Sequence, residues 1–231
     1  GILSVFYYLF IYEAPSCEDG SQNQNEQGVD CGGVCPVVCS FDTVDPVVVW
    51  TRSFEVQKGV YNVVALVENP NIEVEAFDVP YSFKMYDKDN ILIAERRGKT
   101  DIPARGVVPV FERTITVNER IPARSPSFEF TKDFEWIKTN EVQPSLSIKS
   151  KILSEKDGMT RLEVVLENDT VRTVENIEVT GILTDKEGSA IAVSQTIIES
   201  ISKNNSDLIV FTWPGLLSKE TSKIEVITLV K

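Results

Sequence analysis

Short runs of β-branched and aromatic residues, separated by turn residues, follow one another along most of the chain. Such residues favour pleated strands, and turn signals every 8–12 residues or so are typical of β-sandwiches. No stretch keeps apolar residues at i, i+3, i+4 and i+7 over three turns, so we expect no long helix. The pattern predicts an all-β fold.

Two predicted strands have distinct patterns. The run from Tyr61 to Asn69 is apolar on most of both faces, which predicts a central strand. From Tyr81 to Asp87, polar and apolar residues alternate, as in a half-buried strand. The following Asp-Lys-Asp-Asn90 predicts a tight hairpin, because Asn tolerates a positive φ.

The same series of patterns occurs twice. The matching landmarks are Asn69 and Asn168, Asp87 and Asp185, Ile102 and Ile201, and Val110 and Val210. Their nearly constant offset of about 98–100 residues indicates an internal duplication. We therefore expect two units of one topology, residues 46–140 and 141–231, each large enough to enclose its own core.

Each unit is expected to bury a set of apolar side chains. The predicted core positions are Leu66, Phe83, Met85, Ile93 and Phe111 in the first unit, and Leu166, Leu183, Ile191 and Phe211 in the second. Trp50, Trp136 and Trp213 are interpreted as core or inter-domain residues, and exposed ligand platforms are the alternative.

The run Phe83-Lys-Met-Tyr-Asp87, with Glu68-Asn-Pro70 upstream, resembles the signature of FxLYD-type domains. These are small immunoglobulin-like sandwiches of bacterial and archaeal envelope proteins. In the second unit, Gly181-Ile-Leu-Thr-Asp185 keeps only the apolar centre and the Asp. The resemblance implies two tandem immunoglobulin-like β-sandwiches in the cell envelope, and the family has no common catalytic residue to transfer.

Residues 1–12 are apolar and aromatic, with no charge before Glu13. In a helix they would rise about 18 Å, less than the roughly 30 Å of bilayer hydrocarbon. We interpret them as the end of a transmembrane helix or uncleaved signal anchor, with Tyr7, Tyr8 and Tyr12 at the outer interface. The alternatives are an additional strand or core-docking segment and the remnant of a signal peptide.

All four cysteines, Cys17, Cys31, Cys35 and Cys39, lie within the acidic segment 13–45, which we call the stalk. The segment has few apolar side chains, so its fold needs a covalent or metal crosslink. Two disulfides confined to the stalk are the favoured prediction, with the pairing left open. The stalk is expected to be separate from the cores of both units, neither of which contains a cysteine. A zinc site of four thiolates is the second alternative, although the spacing lacks paired Cys-x2-Cys knuckles, and lipid attachment at Cys17 is the third.

The stalk is similar to the Cys-x-Asp-Gly…Asp-Cys-Gly-Gly-x-Cys repeat found beside membrane anchors in bacterial surface proteins. Here Cys35-Pro-Val-Val-Cys39 has one residue more than the usual Cys-x2-Cys ending. The segment also carries five oxygen donors, Asp19, Asn23, Asn25, Glu26 and Asp30. Calcium prefers six to eight oxygen ligands on such loops. Calcium is therefore the one cofactor that we consider, and otherwise none is predicted.

Acidic residues outnumber Lys and Arg by 35 to 23, for a net charge of −12. Residues 1–45 hold seven acids and no Lys or Arg, whereas cytoplasmic flanks of membrane helices are rich in both. The stalk is therefore expected outside the cytoplasm, where disulfides also persist. The acidic total argues against a nucleic-acid partner, despite a small basic patch at Arg96, Arg97 and Lys99.

The chain contains no His, which excludes Ser-His-Asp and Cys-His catalysis and imidazole metal sites. It also lacks a Gly-rich phosphate loop, and Asp87 and Asp89 are interpreted as solvated turn residues. We predict a non-enzymatic, single-pass membrane protein whose two domains face the outside and bind a protein or act as a spacer, with no small-molecule substrate. The alternatives are an accessory subunit of a secretion, pilus or cell-wall complex, and a calcium-dependent adhesin.

Overall fold

The computed structural model describes residues 16–118, 120–140, 143–144 and 146–231, and the prediction of an all-β fold is confirmed. The strands are β1 (Val47–Gln57), β2 (Val60–Glu68), β3 (Val74–Tyr86), β4 (Leu92–Ile102), β5 (Val107–Thr116), β6 (Ser127–Phe130), β7 (Ile137–Lys138), β8 (Leu146–Lys156), β9 (Met159–Asn168), β10 (Val174–Thr184), β11 (Ala190–Ile201), β12 (Ser206–Pro214) and β13 (Lys223–Val230). The described residues contain one 3₁₀ turn, Ser40–Asp42, and no α-helix.

The strands form four antiparallel sheets, two in each unit. The first unit has the orders β1-β2-β5 and β4-β3-β6, with β7 paired to the beginning of β3. The second unit has the orders β8-β9-β12 and β11-β10-β13. Both units therefore share one strand order, as the duplication predicts, and β2 is a central strand.

A buried asparagine occupies the same place in both units, just after β2 and at the end of β9. The side-chain amide of Asn69 donates to two backbone carbonyls at 3.0 Å, and that of Asn168 donates to two at 2.9 and 2.8 Å. Each side-chain oxygen also accepts a backbone N–H two residues later. Because all these groups are satisfied, the polar side chain is buried without an unpaired donor or acceptor.

The two sheets of each unit enclose an apolar core. Among the predicted core positions, Phe83 and Met85 are buried in the first core, and Leu166, Leu183 and Phe211 are buried in the second. Ile93 and Ile191 are half-buried and pack against the first and second cores. Trp136 and Trp213 are core residues.

The prediction that Leu66 and Phe111 belong to the first core is wrong, because the structure places them on the outward face of their sheet. Phe111 lies opposite Val64 in the β2–β5 pair, whereas Phe211 lies opposite Leu162 in the β9–β12 pair. Corresponding residues of these strands are therefore 99 positions apart in the two units. Equating Phe111 with Phe211 would require a separation of 100. A slip of one residue turns every side chain of a strand to the other face.

The outward-facing side chains form a third apolar cluster between the two units. Val64 of β2 is fully buried there, against Ile182, Ala190 and Val193 of the second unit. The first unit's sheet of β1, β2 and β5 is thus covered on both faces, by its own core and by the second unit.

The predicted membrane segment, residues 1–12, lies outside the described residues. Within the part of the chain that the structure describes, no helix is long and apolar enough to span a bilayer.

Candidate functional site

The stalk is crosslinked by two disulfides, as predicted. Cys17 pairs with Cys35 and Cys31 with Cys39, with Cα–Cα distances of 5.7 and 5.0 Å. The pairs interleave along the chain, so each disulfide closes a loop that contains one end of the other. No described cysteine is free. The two alternatives, a zinc site of four thiolates and lipid attachment at Cys17, both need free sulfurs and are therefore excluded in this structure.

Two stalk carboxylates organise the backbone between the cysteines. Asp30, which has a positive φ, accepts the N–H groups of Asp19 and Gly20 at 2.9 to 3.1 Å. Asp19 in turn accepts the N–H groups of Ser16 and Ser21 and the amide of Asn23. The Ser16 N–H, followed by the Asn23 amide, lowers the pKa of Asp19 below its usual value.

The remaining calcium candidates, Asn23, Asn25 and Glu26, differ in burial and in hydrogen bonding. Glu26 is buried, and its Oε2 accepts the N–H of Asn23 at 3.0 Å while Oε1 lies 3.2 Å from the sulfur of Cys35. The side-chain oxygen of Asn23 is buried without a hydrogen-bond partner. Asn25 is exposed with a positive φ.

One group of three potential metal ligands occurs among the described residues, formed by Cys17, Glu26 and Cys35. Its two sulfurs are joined in a disulfide and have no thiolate to offer a metal. The carboxylates of Asp19 and Asp30 already accept backbone N–H groups. The arrangement therefore stabilises a loop as it stands, and an ion would have to displace some of these hydrogen bonds.

The stalk is attached to the first unit by backbone hydrogen bonds. Val38 donates to the carbonyl of Trp136 at 2.7 Å, and Lys138 donates to the carbonyl of Pro36 at 2.9 Å. These bonds surround an antiparallel bridge between Val37 and β7, so the stalk adds a short strand beside β7. The sequence predicted a stalk separate from both cores, but the side chain of Val38 packs against the first core.

A groove of about 760 Å³ lies between the stalk and the loop that joins β6 to β7. Its aromatic side is formed by Phe130, Phe134 and Trp136, whose neighbouring ring centroids are 4.9 and 5.0 Å apart. Asp45, Lys132 and Asp133 line the same groove. The aromatic faces suit an apolar or cationic group, and the Lys132 ammonium offsets part of the charge of the two carboxylates.

A second prediction that the structure contradicts concerns the carboxylate in each hairpin turn. Asp87 was interpreted as a solvated turn residue, but it is buried, as is its counterpart Asp185. Oδ1 of each accepts two N–H groups of its own turn, and Oδ2 pairs with Arg120 or Lys219. The two cations are themselves 99 residues apart, a signal present in the sequence. These carboxylates hold their turns in place through hydrogen bonds and ion pairs.

Neither a protein-family profile nor a curated protein matches this chain. Among solved structures it is similar to a β-glucuronidase of Bacteroides uniformis, at 12% identity and a TM-score of 0.27, and to red sea bream transglutaminase, at 10% identity and a TM-score of 0.25. The similarity covers 75% and 78% of this chain but 24% and 30% of the respective structures, so the chain spans less than a third of either. TM-scores this low carry no information about the activity of this chain.

Proposed function

We propose that this chain is a non-enzymatic, membrane-anchored envelope protein that presents two immunoglobulin-like β-sandwiches outside the cell, as a spacer or for protein interaction. The observation that carries the proposal is the pair of disulfides within an acidic stalk. Disulfides persist in oxidising compartments, and seven acids without a single Lys or Arg are typical of an extracytoplasmic flank.

The attachment of the stalk supports the role of a spacer. A flexible stalk would let the two units move freely. Here two disulfides crosslink the stalk internally, and a β-bridge with β7, two backbone hydrogen bonds beside it and the packing of Val38 attach the stalk to the first unit. Any element that holds the beginning of the stalk therefore also orients the first unit. Apolar residues 1–12 are the segment that we propose as that anchor.

A location test decides the proposal. Cells that produce the protein are fractionated, and intact cells are treated with protease and probed with an antibody against residues 47–231. We expect the protein in the membrane fraction, degraded by external protease, with its cysteines resistant to alkylation until reductant is added. A soluble, protease-protected protein with four reactive thiols would overturn the proposal.

The aromatic groove favours a second candidate, an accessory subunit that docks one fixed partner of an envelope complex. Phe130 and Phe134 are only half-buried and line the groove beside the stalk. Replacing Phe134 by Ser should then abolish co-purification of that partner while the location stays unchanged. If location and co-purification are both unchanged, the spacer role is favoured over the docking role.

A further inference from the structure

The two units meet through the outward faces of two sheets, one formed by β1, β2 and β5 and the other by β10, β11 and β13. At the centre of this contact, Val64, Ile182 and Val193 are 0%, 1% and 2% exposed. The apolar cluster at this contact, which we call the junction, consists of Trp50, Phe54, Val64, Leu66, Phe111, Ile182, Ala190, Val193 and Ile227.

Each junction position has a counterpart in the other unit, because the two units share strand order and register. Val64 lies opposite Phe111 and Glu163 lies opposite Val210, so Glu163 is the counterpart of Val64. By the same comparison, the second unit has Ser150 as the counterpart of Trp50, Ser154 of Phe54, Val165 of Leu66 and Val210 of Phe111. The outer face of the second unit is therefore polar at three of the five positions that are apolar in the first.

The opposite change has occurred on the outer face of the first unit. The counterparts of Ile182, Val193 and Ile227 are Lys84, Glu95 and Glu129. Nζ of Lys84 lies 2.5 Å from Oε1 of Glu129, and Glu95 accepts a hydrogen bond from Ser82 at 3.0 Å. Covering these charges with an apolar sheet would remove their hydration without supplying new partners.

We propose that the junction holds the two units together as one rigid body, and that the polar outer faces prevent the addition of a further unit or a second copy of the chain. Burial of apolar surface stabilises the contact in the middle of the molecule. The corresponding outer surfaces carry Ser or a charged residue at six of the eight positions compared. A face is selective when it disfavours the wrong partner. This inference does not depend on the proposed anchoring or location.

The first test compares two substitutions of counterpart residues in the full chain, Val64→Lys in the junction and Glu163→Lys on the outer face. Lysine at position 64 would bring a charge into the contact between the units but not into either core. We expect this variant to keep its β-sheet circular dichroism, to show a larger maximum dimension in small-angle X-ray scattering, and to unfold in two transitions where the native chain shows one. Glu163→Lys loses the half-exposed ion pair with Arg161, so its melting temperature should fall slightly, but it should keep the circular dichroism, the scattering and the single transition of the native chain.

Two results would contradict the proposal that the junction holds the units together as one rigid body. One is a Val64→Lys variant with the scattering and melting of the native chain, since the junction would then not be needed to keep the units together. The other is an equal effect of Glu163→Lys, since Glu163 is not one of the junction residues.

The second test places junction residues at their counterpart positions on the outer faces. It remains informative if Val64→Lys fails to fold. One variant carries Ser150→Trp, Ser154→Phe and Glu163→Val, and the other carries Lys84→Ile, Glu95→Val and Glu129→Ile. An equimolar mixture should form a 1:1 complex in sedimentation velocity, because each variant now presents one half of a junction. Each variant mixed with native chain should remain dissociated.

Failure of the two variants to associate with each other would overturn the selectivity of the faces. Equal association of either variant with native chain would also overturn it, because the contact would then depend on hydrophobicity alone. If every protein sediments as a monomer yet Val64→Lys separates the units, the rigid pair is supported and the proposed role of the outer faces is wrong.

Discussion

Nζ of Lys219 lies 2.5 Å from Oδ2 of Asp185, beside the hairpin that joins β10 to β11. The second carboxylate oxygen accepts the turn N–H groups of Glu187 and Ser189 at 3.1 and 2.8 Å. The side chain of Asp185 is 3% exposed, so its charge is satisfied almost wholly by these three groups. The conformation of the hairpin is therefore linked to an ionised carboxylate.

The first prediction concerns the pH dependence of stability. The Lys219 ammonium, and after it the Ser189 N–H, hold the pKa of Asp185 below the usual 3.8. A lowered pKa stabilises the fold above the unfolded-state value, and this stabilisation is lost as the pH falls through the folded-state value. Unfolding free energies from urea titrations should thus fall below about pH 4 in the native chain. They should fall less steeply in Asp185→Asn, which should also be less stable at pH 7.

Glu187→Gln is the matched control for this prediction, because Glu187 lies in the same hairpin with its side chain 57% exposed. It should leave both the stability at pH 7 and its pH dependence close to those of the native chain. An identical pH dependence in Asp185→Asn and the native chain would show that this carboxylate is not linked to folding.

The second prediction concerns the first core. Phe83 is fully buried, and its ring centroid lies 4.9 Å from that of Phe128. Phe83→Ala should reduce the free energy of unfolding by about 3–5 kcal/mol, the usual cost of truncating a buried aromatic. Phe77, on the same strand, is 55% exposed, so Phe77→Ala should cost less than about 1 kcal/mol. Similar losses in the two variants would contradict this assignment of the core.

The positions of Phe83 and Met85 could be predicted because strand periodicity alone determines the face of a side chain. In β3 the alternation with Lys84 is clear, so the sequence separates the inner face from the outer one. In β2 both faces are apolar, and periodicity cannot say which of them is the core. Leu66 was consequently assigned to the wrong face, and the register of Phe111 was placed one residue away.

The apolar outer face of the second unit could have been recognised by comparing the two copies position by position. Ile182 and Val193 occur where the first unit has Lys84 and Glu95, so one copy gained an apolar outer face. A single sequence shows this change but not the surface that covers it. That assignment needs the packing of whole sheets, which no local pattern encodes.

The docking of the stalk was missed for a related reason. Its sequence is polar except for short apolar pieces such as Val37-Val38, and two adjacent Val residues are too few to predict a strand. They pair only because β7 presents free backbone groups beside them. The disulfides were predictable because four cysteines occur in one short segment and in neither unit.

The third prediction concerns reduction of the disulfides. The unreduced, unfolded chain should contain no free thiol, and the reduced chain should contain four. Each disulfide should contribute roughly 2–4 kcal/mol to the stalk. Because Val38 packs on the first core and donates to Trp136, reductant should also lower the melting temperature of the chain. Val38→Asp, which leaves both disulfides intact, should lower the same transition, and a melt insensitive to both treatments would show an independent stalk.

The last prediction separates the calcium-dependent adhesin from the other functions. Asp19 and Asp30 direct their carboxylates at backbone N–H groups, so we expect the loop to be formed without an ion. Calcium bound only by the folded chain, at ten times its Kd, would add about 1.4 kcal/mol to the free energy of unfolding. We expect no such gain between chelator and millimolar calcium, and we expect Asp30→Asn to destabilise the stalk equally in both. Asp42→Asn, an exposed stalk substitution, should change neither melt. A calcium-dependent rise in the native chain that Asp30→Asn abolishes and Asp42→Asn retains would establish the metal site and favour the adhesin.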